Sequence, residues 1–233
     1  MQQRQEKVIT IASTDSMYLR EWLPAFIRAN PDLTIRHTVS TIEKIETDIL
    51  NGVIDFGISS SVSENPSFEH YTLWEDEYVI LTPHPNSLSG EPVRNFADFA
   101  KMPFVALPAF DYKSRSIDIL SNAIDITPKI IFEGERELLE RVMLPLNASI
   151  VVLRSTIKEE SDMELTSKYC DVTRLSNPEA HINVTLSWDS HRTQTSAAQR
   201  LLDYVYANDV NAWHLTTPDE VWTGRRQHQD STK

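Results

Sequence analysis

The sequence predicts an α/β fold in which two Rossmann-like subdomains are joined by two crossing segments. The first observation is an unbroken series of strand, polar turn and amphipathic helix over residues 8–59. The second is that a similar series starts again near residue 104, after a loop rich in proline and other turn residues. Alternating strands and helices are typical of a parallel sheet with right-handed crossovers.

The predicted strands are short and rich in Val, Ile, Phe and Leu, as buried parallel strands tend to be. Between them, apolar residues recur at spacings of three and four, which indicates helices with one buried face. The predicted strands cover residues 8–12, 33–39, 54–58, 78–82, 104–107, 129–132, 149–153 and 183–188. The clearest helical patterns cover residues 19–27, 42–49, 138–142 and 201–205.

The proline-rich loop over residues 82–90 predicts the division between the subdomains. We expect the first subdomain to contain residues 7–80 with a returning segment, residues 189–208, and the second to contain residues 81–188. The crossing segments near residues 80 and 188 would form a hinge. Residues 209–233 lie outside this pattern and predict a C-terminal extension that is partly disordered.

The composition is that of an ordinary globular chain with an acidic balance. It has 22 Lys and Arg against 34 Asp and Glu, a net charge of −12. Because an acidic surface repels phosphate backbones, we do not expect these residues to bind DNA themselves. Cys170 is the single cysteine, so no internal disulfide is possible and a reducing, cytoplasmic compartment is expected. The sequence shows neither a signal peptide nor an apolar run of membrane-spanning length.

Polar turns follow the first two predicted strands. Their residues are Ser13, Thr14, Asp15, Ser16, Ser40 and Thr41. The helices after these turns open at the same edge of a parallel sheet, which predicts a site for a small polar or anionic ligand. Helix capping explains part of the pattern, since such side chains accept hydrogen bonds from the first N–H groups of a helix.

Two further turns belong to the second predicted subdomain. The turn after residue 107 offers the aromatic, cationic and hydroxyl side chains of Phe110, Tyr112, Lys113 and Ser114. These side chains could contact an anionic ligand by charge and hydrogen bonding, or form an exposed loop that Ser114 caps. Glu133 begins the other turn, where acidic residues complement a helix dipole and would disfavour an anion.

Several short motifs recur in a fixed order along the chain. They are Leu23-Pro24, residues 30–33 (Asn-Pro-Asp-Leu), Gly52 with Asp55, Pro83-His84-Pro85, Leu107-Pro108 and Pro128. In this order and spacing, residues 7–208 resemble the effector-binding domain of LysR-type transcriptional regulators. The resemblance implies the type 2 periplasmic-binding-protein fold.

The resemblance also implies a function. A small-molecule effector would bind in the cleft between the subdomains, contacting the turns described above, and would need no cofactor. The domain would dimerise side by side through Trp22 and Phe26 of the first helix, and the full-length protein would form a tetramer. DNA binding would belong to an N-terminal winged helix-turn-helix whose pattern is absent here, so we expect an excised regulatory domain.

One segment departs from the family pattern. Such regulators usually carry two glycines before the strand near residue 150, whereas this sequence has Pro145 and Asn147 close to those positions. The resemblance implies that this segment is a loop lining the cleft, so we expect both residues to face the effector.

Two other classes of protein remain open at this point. A solute-binding protein of the same fold would need export, which the upstream sequence would reveal. An enzyme on this fold would need a catalytic constellation, and Asp189, Ser190 and His191 are too close in sequence to form a triad. The seven scattered histidines predict no metal site.

Overall fold

The computed structural model describes residues 7–20, 22–60, 63–88, 90–108, 115–157 and 168–208. Its strands are β1 (Val8–Ser13), β2 (Thr34–Val39), β3 (Phe56–Ser59), β4 (Phe68–Pro83), β5 (Val93–Arg94), β6 (Pro103–Ala106), β7 (Lys129–Glu133), β8 (Ile150–Leu153), β9 (Cys170–Leu175) and β10 (His181–Asp189). Its α-helices are α1 (Leu23–Ala29), α2 (Ile42–Leu50), α3 (Arg115–Ala123), α4 (Arg136–Leu146) and α5 (Ser196–Ala207). The predicted α/β fold is confirmed.

The first group of strands is a mixed sheet in the order β2-β1-β3-β10-β4. The strands β1, β2 and β3 are parallel, and β10 runs antiparallel between β3 and β4. Because β10 pairs with β3, residues 181–188 lie with the first subdomain. The predicted return crossing near residue 188 is therefore wrong, and the chain returns before His181.

The strand β4 is 16 residues long and takes part in both groups of strands. Its first part, up to Glu77, pairs with β10. From Tyr78 onward it pairs instead with β8 on one side and β9 on the other. The sequence predicted only the second part, residues 78–82. The change of partners between Glu77 and Tyr78 marks the first crossing between the two halves.

The second group of strands is built around the end of β4. The strand β9, which the sequence did not predict, lies between β4 and β5. On the other side of β4, β8 begins next to β6, where the Ser149 N–H donates to the Pro103 carbonyl at 2.8 Å. The strand β6 is parallel to β7. The parallel strands β6 and β7 therefore end at one edge, as β1, β2 and β3 do in the first half.

The largest core cluster runs through both halves and includes both residues that we expected at a dimer interface. Trp22 and Phe26 are each 0% exposed. The Trp22 indole N–H donates to the Tyr18 carbonyl at 2.9 Å, and the Phe26 ring packs edge-on against Tyr204 at 5.2 Å. The expectation that Trp22 and Phe26 face a partner is wrong, because both side chains are covered by their own chain.

None of the helices in the described residues is both long and apolar enough to cross a membrane.

Phe26 and Ile27 are neighbours on α1 that allow a matched test of this packing. Truncation of Phe26 to Ala is expected to lower the free energy of unfolding by about 3–5 kcal/mol, because it leaves a cavity in the core. Ile27 is 44% exposed, and its truncation to Ala is expected to change stability by less than about 1 kcal/mol. Urea denaturation followed by tryptophan fluorescence measures both. Equal losses in the two variants would contradict the orientation of α1.

Candidate functional site

The carboxyl ends of β1, β2 and β3 lie side by side and carry the polar turns that the sequence singled out. The Thr14 N–H donates to the Ile58 carbonyl at 3.0 Å, and the Ser40 N–H donates to the Ser13 carbonyl at 3.0 Å. These bonds hold the three strand ends together. The structure thus places the first and second predicted turns next to each other at one edge of the sheet.

Some of these polar side chains already form hydrogen bonds within the domain. The Ser13 hydroxyl is fully buried and forms a hydrogen bond of 2.8 Å with Nε2 of His37. Asp15, only 7% exposed, accepts a hydrogen bond from the Met17 N–H at 3.0 Å and so caps a short 3₁₀ helix. Thr41 caps α2 by accepting from the Lys44 N–H at 3.3 Å. Helix capping therefore explains why Asp15 and Thr41 occur in these turns, as the capping interpretation of the sequence predicted.

Ser16 and Ser40 lie at the same edge and are more accessible. Ser16 begins the 3₁₀ helix with an exposed side chain, and Ser40 is half-buried directly before the cap of α2. With Thr41, which is also exposed, they present hydroxyl groups toward solvent at this edge. A small molecule could hydrogen bond to such hydroxyls and to the N–H groups that open α2.

The second half of the chain presents a corresponding edge. The Gly134 N–H donates to the Ala106 carbonyl at 3.1 Å, which joins the ends of β6 and β7. Glu133 is exposed at this edge. The predicted ligand residues of the neighbouring turn, Phe110, Tyr112, Lys113 and Ser114, lie outside the described residues.

Pro145 and Asn147 lie elsewhere, so their expected place in a cleft loop is wrong. Pro145 belongs to the last turn of α4, and Asn147 ends that helix with a left-handed backbone, φ 48°. Asparagine tolerates this conformation better than most residues and occupies a position that glycine commonly fills. The C-terminal end of α4 therefore lies near the start of β6. This edge of the sheet is opposite the edge at which β6 and β7 end.

Two buried phenols, those of Tyr18 and Tyr78, were not predicted from the sequence. Both side chains are buried, and the Tyr18 ring packs edge-on against Trp74, with ring centroids 6.1 Å apart. Burial, more than the nearby carboxylates of Asp15 and Asp76, raises the pKa of Tyr78 to about 12 and raises the pKa of Tyr18 as well. The phenols therefore stay neutral at physiological pH.

A buried carboxylate directly precedes Tyr78 in the chain. Glu77 is 6% exposed, and its carboxylate accepts hydrogen bonds from Arg154 at 2.7 Å and from Arg174 at 3.1 Å. Both arginines belong to the second half, one directly after β8 and one on β9. Arg154 and Arg174 lie 77 and 97 positions after Glu77 in the sequence. No local sequence pattern therefore reveals that these three side chains come together.

Charged side chains of both signs lie in this region. Arg154 is directed to Glu77, while Asp15 and Glu133 add negative charge at the two edges. Among the described residues, no group of three or more His, Cys, Asp or Glu side chains is arranged to hold a metal ion. The described edge thus offers hydroxyls, backbone N–H groups and carboxylates.

Two sets of parallel strands, in halves that are joined by the long strand β4, are typical of a domain of the periplasmic-binding-protein type. The model of the LysR substrate binding domain family matches residues 2–209. The chain therefore belongs to this family, the effector-sensing domain of LysR-type transcriptional regulators. The resemblance that the motifs predicted is confirmed, and it supports effector sensing rather than solute transport. Among curated proteins, no sequence matches the chain.

Solved structures of regulators share this fold. The CcmR regulatory domain of Synechocystis PCC6803, in complex with 2-PG, is 15% identical over 86% of this chain and 96% of that chain, with a TM-score of 0.71. The effector-binding domain of QuiR in complex with shikimate is 18% identical over 85% and 94%, with a TM-score of 0.63. Full-length CbnR complexed with its target DNA is 16% identical over 87% and 70%, with a TM-score of 0.64.

Glu77 and Glu75 provide a matched pair for testing the buried carboxylate. Replacement of Glu77 by Gln is expected to lower the free energy of unfolding by about 2 kcal/mol, because charge-assisted hydrogen bonds to two arginines are weakened. Glu75 lies on the same strand with an exposed side chain, and its replacement by Gln is expected to change stability by less than about 0.5 kcal/mol. Urea denaturation distinguishes them. A loss of the same size in both variants would contradict a buried Glu77.

Proposed function

We propose that this domain binds a small polar molecule between the ends of β1 and β2 in the first half and the ends of β6 and β7 in the second. The observation that carries the proposal is the pair of polar turns, residues 13–16 and 40–41, held together at one edge by the Ser40–Ser13 and Thr14–Ile58 hydrogen bonds. In open α/β sheets, ligands bind outside the carboxyl ends of the strands. The described edge lies in that position.

The chemistry of the edge narrows the ligand class. Ser16, Ser40 and Thr41 offer hydroxyls that donate and accept hydrogen bonds, and α2 offers its first N–H groups. The carboxylates of Asp15 and Glu133 would repel additional negative charge on the ligand. We therefore propose a ligand that carries several hydroxyl or amide groups and at most one or two negative charges, with Lys113 as the expected partner of an anionic group.

The response to the ligand would be a change in the relative orientation of the two halves. A molecule that contacts both edges favours the arrangement in which both sets of groups surround it. We propose that this domain controls, in the cytoplasm and without catalysis of its own, the DNA binding or transcription activation of an N-terminal domain in the full-length protein.

We also propose self-association as a dimer, and as a tetramer in the full-length regulator. Trp22 and Phe26 are buried, so the surface offered by the first half consists of other residues. Ile27 is exposed on α1, and β2 is an edge strand whose side chains are largely exposed. In the second half, exposed apolar residues lie on α3, β7 and α4. They are Ile119, Ile131, Leu138, Leu144 and Leu146.

Ligand binding is tested by comparing two helix-capping threonines. Thr41 caps α2 at the proposed site, whereas Thr195 caps α5 by accepting from the Ala198 N–H at 3.1 Å. Each change to Ala is expected to cost about 1 kcal/mol of stability through the lost cap. Only Thr41→Ala is expected to abolish a ligand-induced rise in melting temperature.

The measurement is a thermal-shift titration with shikimate, with 2-PG and with a panel of neutral polyols and amino alcohols. A ligand at about 100 times its Kd stabilises the folded state by about 2.7 kcal/mol. Ser16→Ala adds a variant without a capping role. The proposed site is wrong if a compound stabilises the wild type, Thr41→Ala and Ser16→Ala alike.

If the domain dimerises through α1, a charged residue on the exposed face of this helix is expected to weaken the dimer. Ile27→Asp is expected to shift sedimentation of the domain toward the monomer by removing an exposed apolar contact, while its circular dichroism spectrum stays unchanged. Val53, which is 60% exposed beyond the end of α2, supplies the control Val53→Asp. Sedimentation profiles that match the wild type for Ile27→Asp would count against α1 as the interface.

A further inference from the structure

The first part of β4 forms an open edge of the mixed sheet. Over residues 68–77 it pairs with β10, whereas its pairing with β8 and β9 begins at Tyr78 and Val79. Among the described strands, β10 is therefore the single partner of residues 68–77. The N–H and C=O groups that point away from β10 have no strand partner within the described residues, and such an edge readily accepts a further strand.

The helix α5 ends beside this open edge. The ring of Tyr206, in its last turn, packs edge-on against Tyr71 of β4, with ring centroids 4.9 Å apart. The helix ends at Ala207, and Asn208 already has an extended backbone, with φ −107° and ψ 118°. The chain that follows α5 therefore starts next to the part of β4 that pairs on one side only.

The sequence after α5 has the pattern of a short strand. Residues 209–233 lie outside the described residues, and residues 209–217 read Asp-Val-Asn-Ala-Trp-His-Leu-Thr-Thr before Pro218. Alternate side chains of a strand share a face, so Trp213 and Leu215 would lie together. Proline has no N–H for a strand ladder, which fits a strand that ends before Pro218. The nine residues 209–217 nearly match the ten residues of β4 that pair on one side only.

An exposed aromatic surface lies where these side chains would pack. Tyr206 is 51% exposed although its ring contacts Tyr71, which is half-buried. The apolar face formed by Trp213 and Leu215 would cover both rings. Aromatic side chains on neighbouring strands stabilise the pairing, and removal of the rings from water adds to this effect.

We propose that residues 209–217 of this chain pair with the open edge of β4 as a further strand. The occupant is a segment of the same chain because Asn208, directly before it, lies beside the edge, so its docking is intramolecular and is favoured over that of a separate molecule. Once covered, this edge of β4 would no longer be open to pairing with a second copy of the chain. The proposal is independent of the ligand site.

The proposal is tested on the full chain without ligand, by hydrogen exchange measured with mass spectrometry. Trp213→Pro removes an N–H and an aromatic ring from the proposed strand, while its matched control Trp222→Pro lies beyond Pro218. Trp213→Pro is expected to speed exchange in residues 69–76 at least about fivefold, the effect of one lost hydrogen bond, and Trp222→Pro to leave it unchanged. Residues 34–39 of β2, the other edge of the same sheet, are expected to keep wild-type exchange in both variants.

Circular dichroism establishes that each variant is folded. The double variant Trp213→Ser with Leu215→Ser keeps every backbone N–H and is expected to open the same edge by loss of packing. Fast exchange of residues 69–76 already in the wild type would overturn the proposal. Slow exchange that survives both changes at Trp213 would overturn it as well, and a dependence on protein concentration would then identify a second copy as the occupant. Equal acceleration by Trp222→Pro would reject a strand that ends before Pro218.

Discussion

The arrangement of this domain depends on one continuous strand, β4, that pairs with strands of both halves. Its hydrogen bonds to β10 and then to β8 and β9 leave the two halves joined through main-chain pairing. The partners change between Glu77 and Tyr78, which makes this point of β4 the expected hinge. Burial of a carboxylate at this point requires charged partners, and two arginines of the second half supply them.

The candidate site follows from the same topology. Parallel strands end at a common edge, so turns that are distant in the sequence come together there. Capping engages Asp15 and Thr41, and the His37 ring engages Ser13, which leaves Ser16 and Ser40 as the more accessible hydroxyls. The same short turns therefore serve both helix capping and ligand recognition, because both need hydrogen-bonding groups at the start of a helix.

The first strands and helices could be predicted because their signals are local: an apolar run, a capping residue and an amphipathic helix. The periodicity of α1 indicates an apolar face but not what covers it, so the sequence alone does not distinguish a core position from an interface position for Phe26. Pro145 predicts a loop, because proline usually ends a helix, yet the structure accommodates it in the last turn of α4. Glu77 and Tyr78 were missed because their partners, such as Arg174, come from distant parts of the chain.

The central claim is that a small molecule binds where the strand ends of the two halves face each other. Hydrogen exchange of the domain, with and without the compound that gives the largest thermal stabilisation, tests this claim directly. The account predicts that exchange slows together in residues 13–20, in residues 40–46 and around Gly134, directly after β7. Slower exchange confined to the opposite edge, around Asn147 and the start of β6, would contradict it.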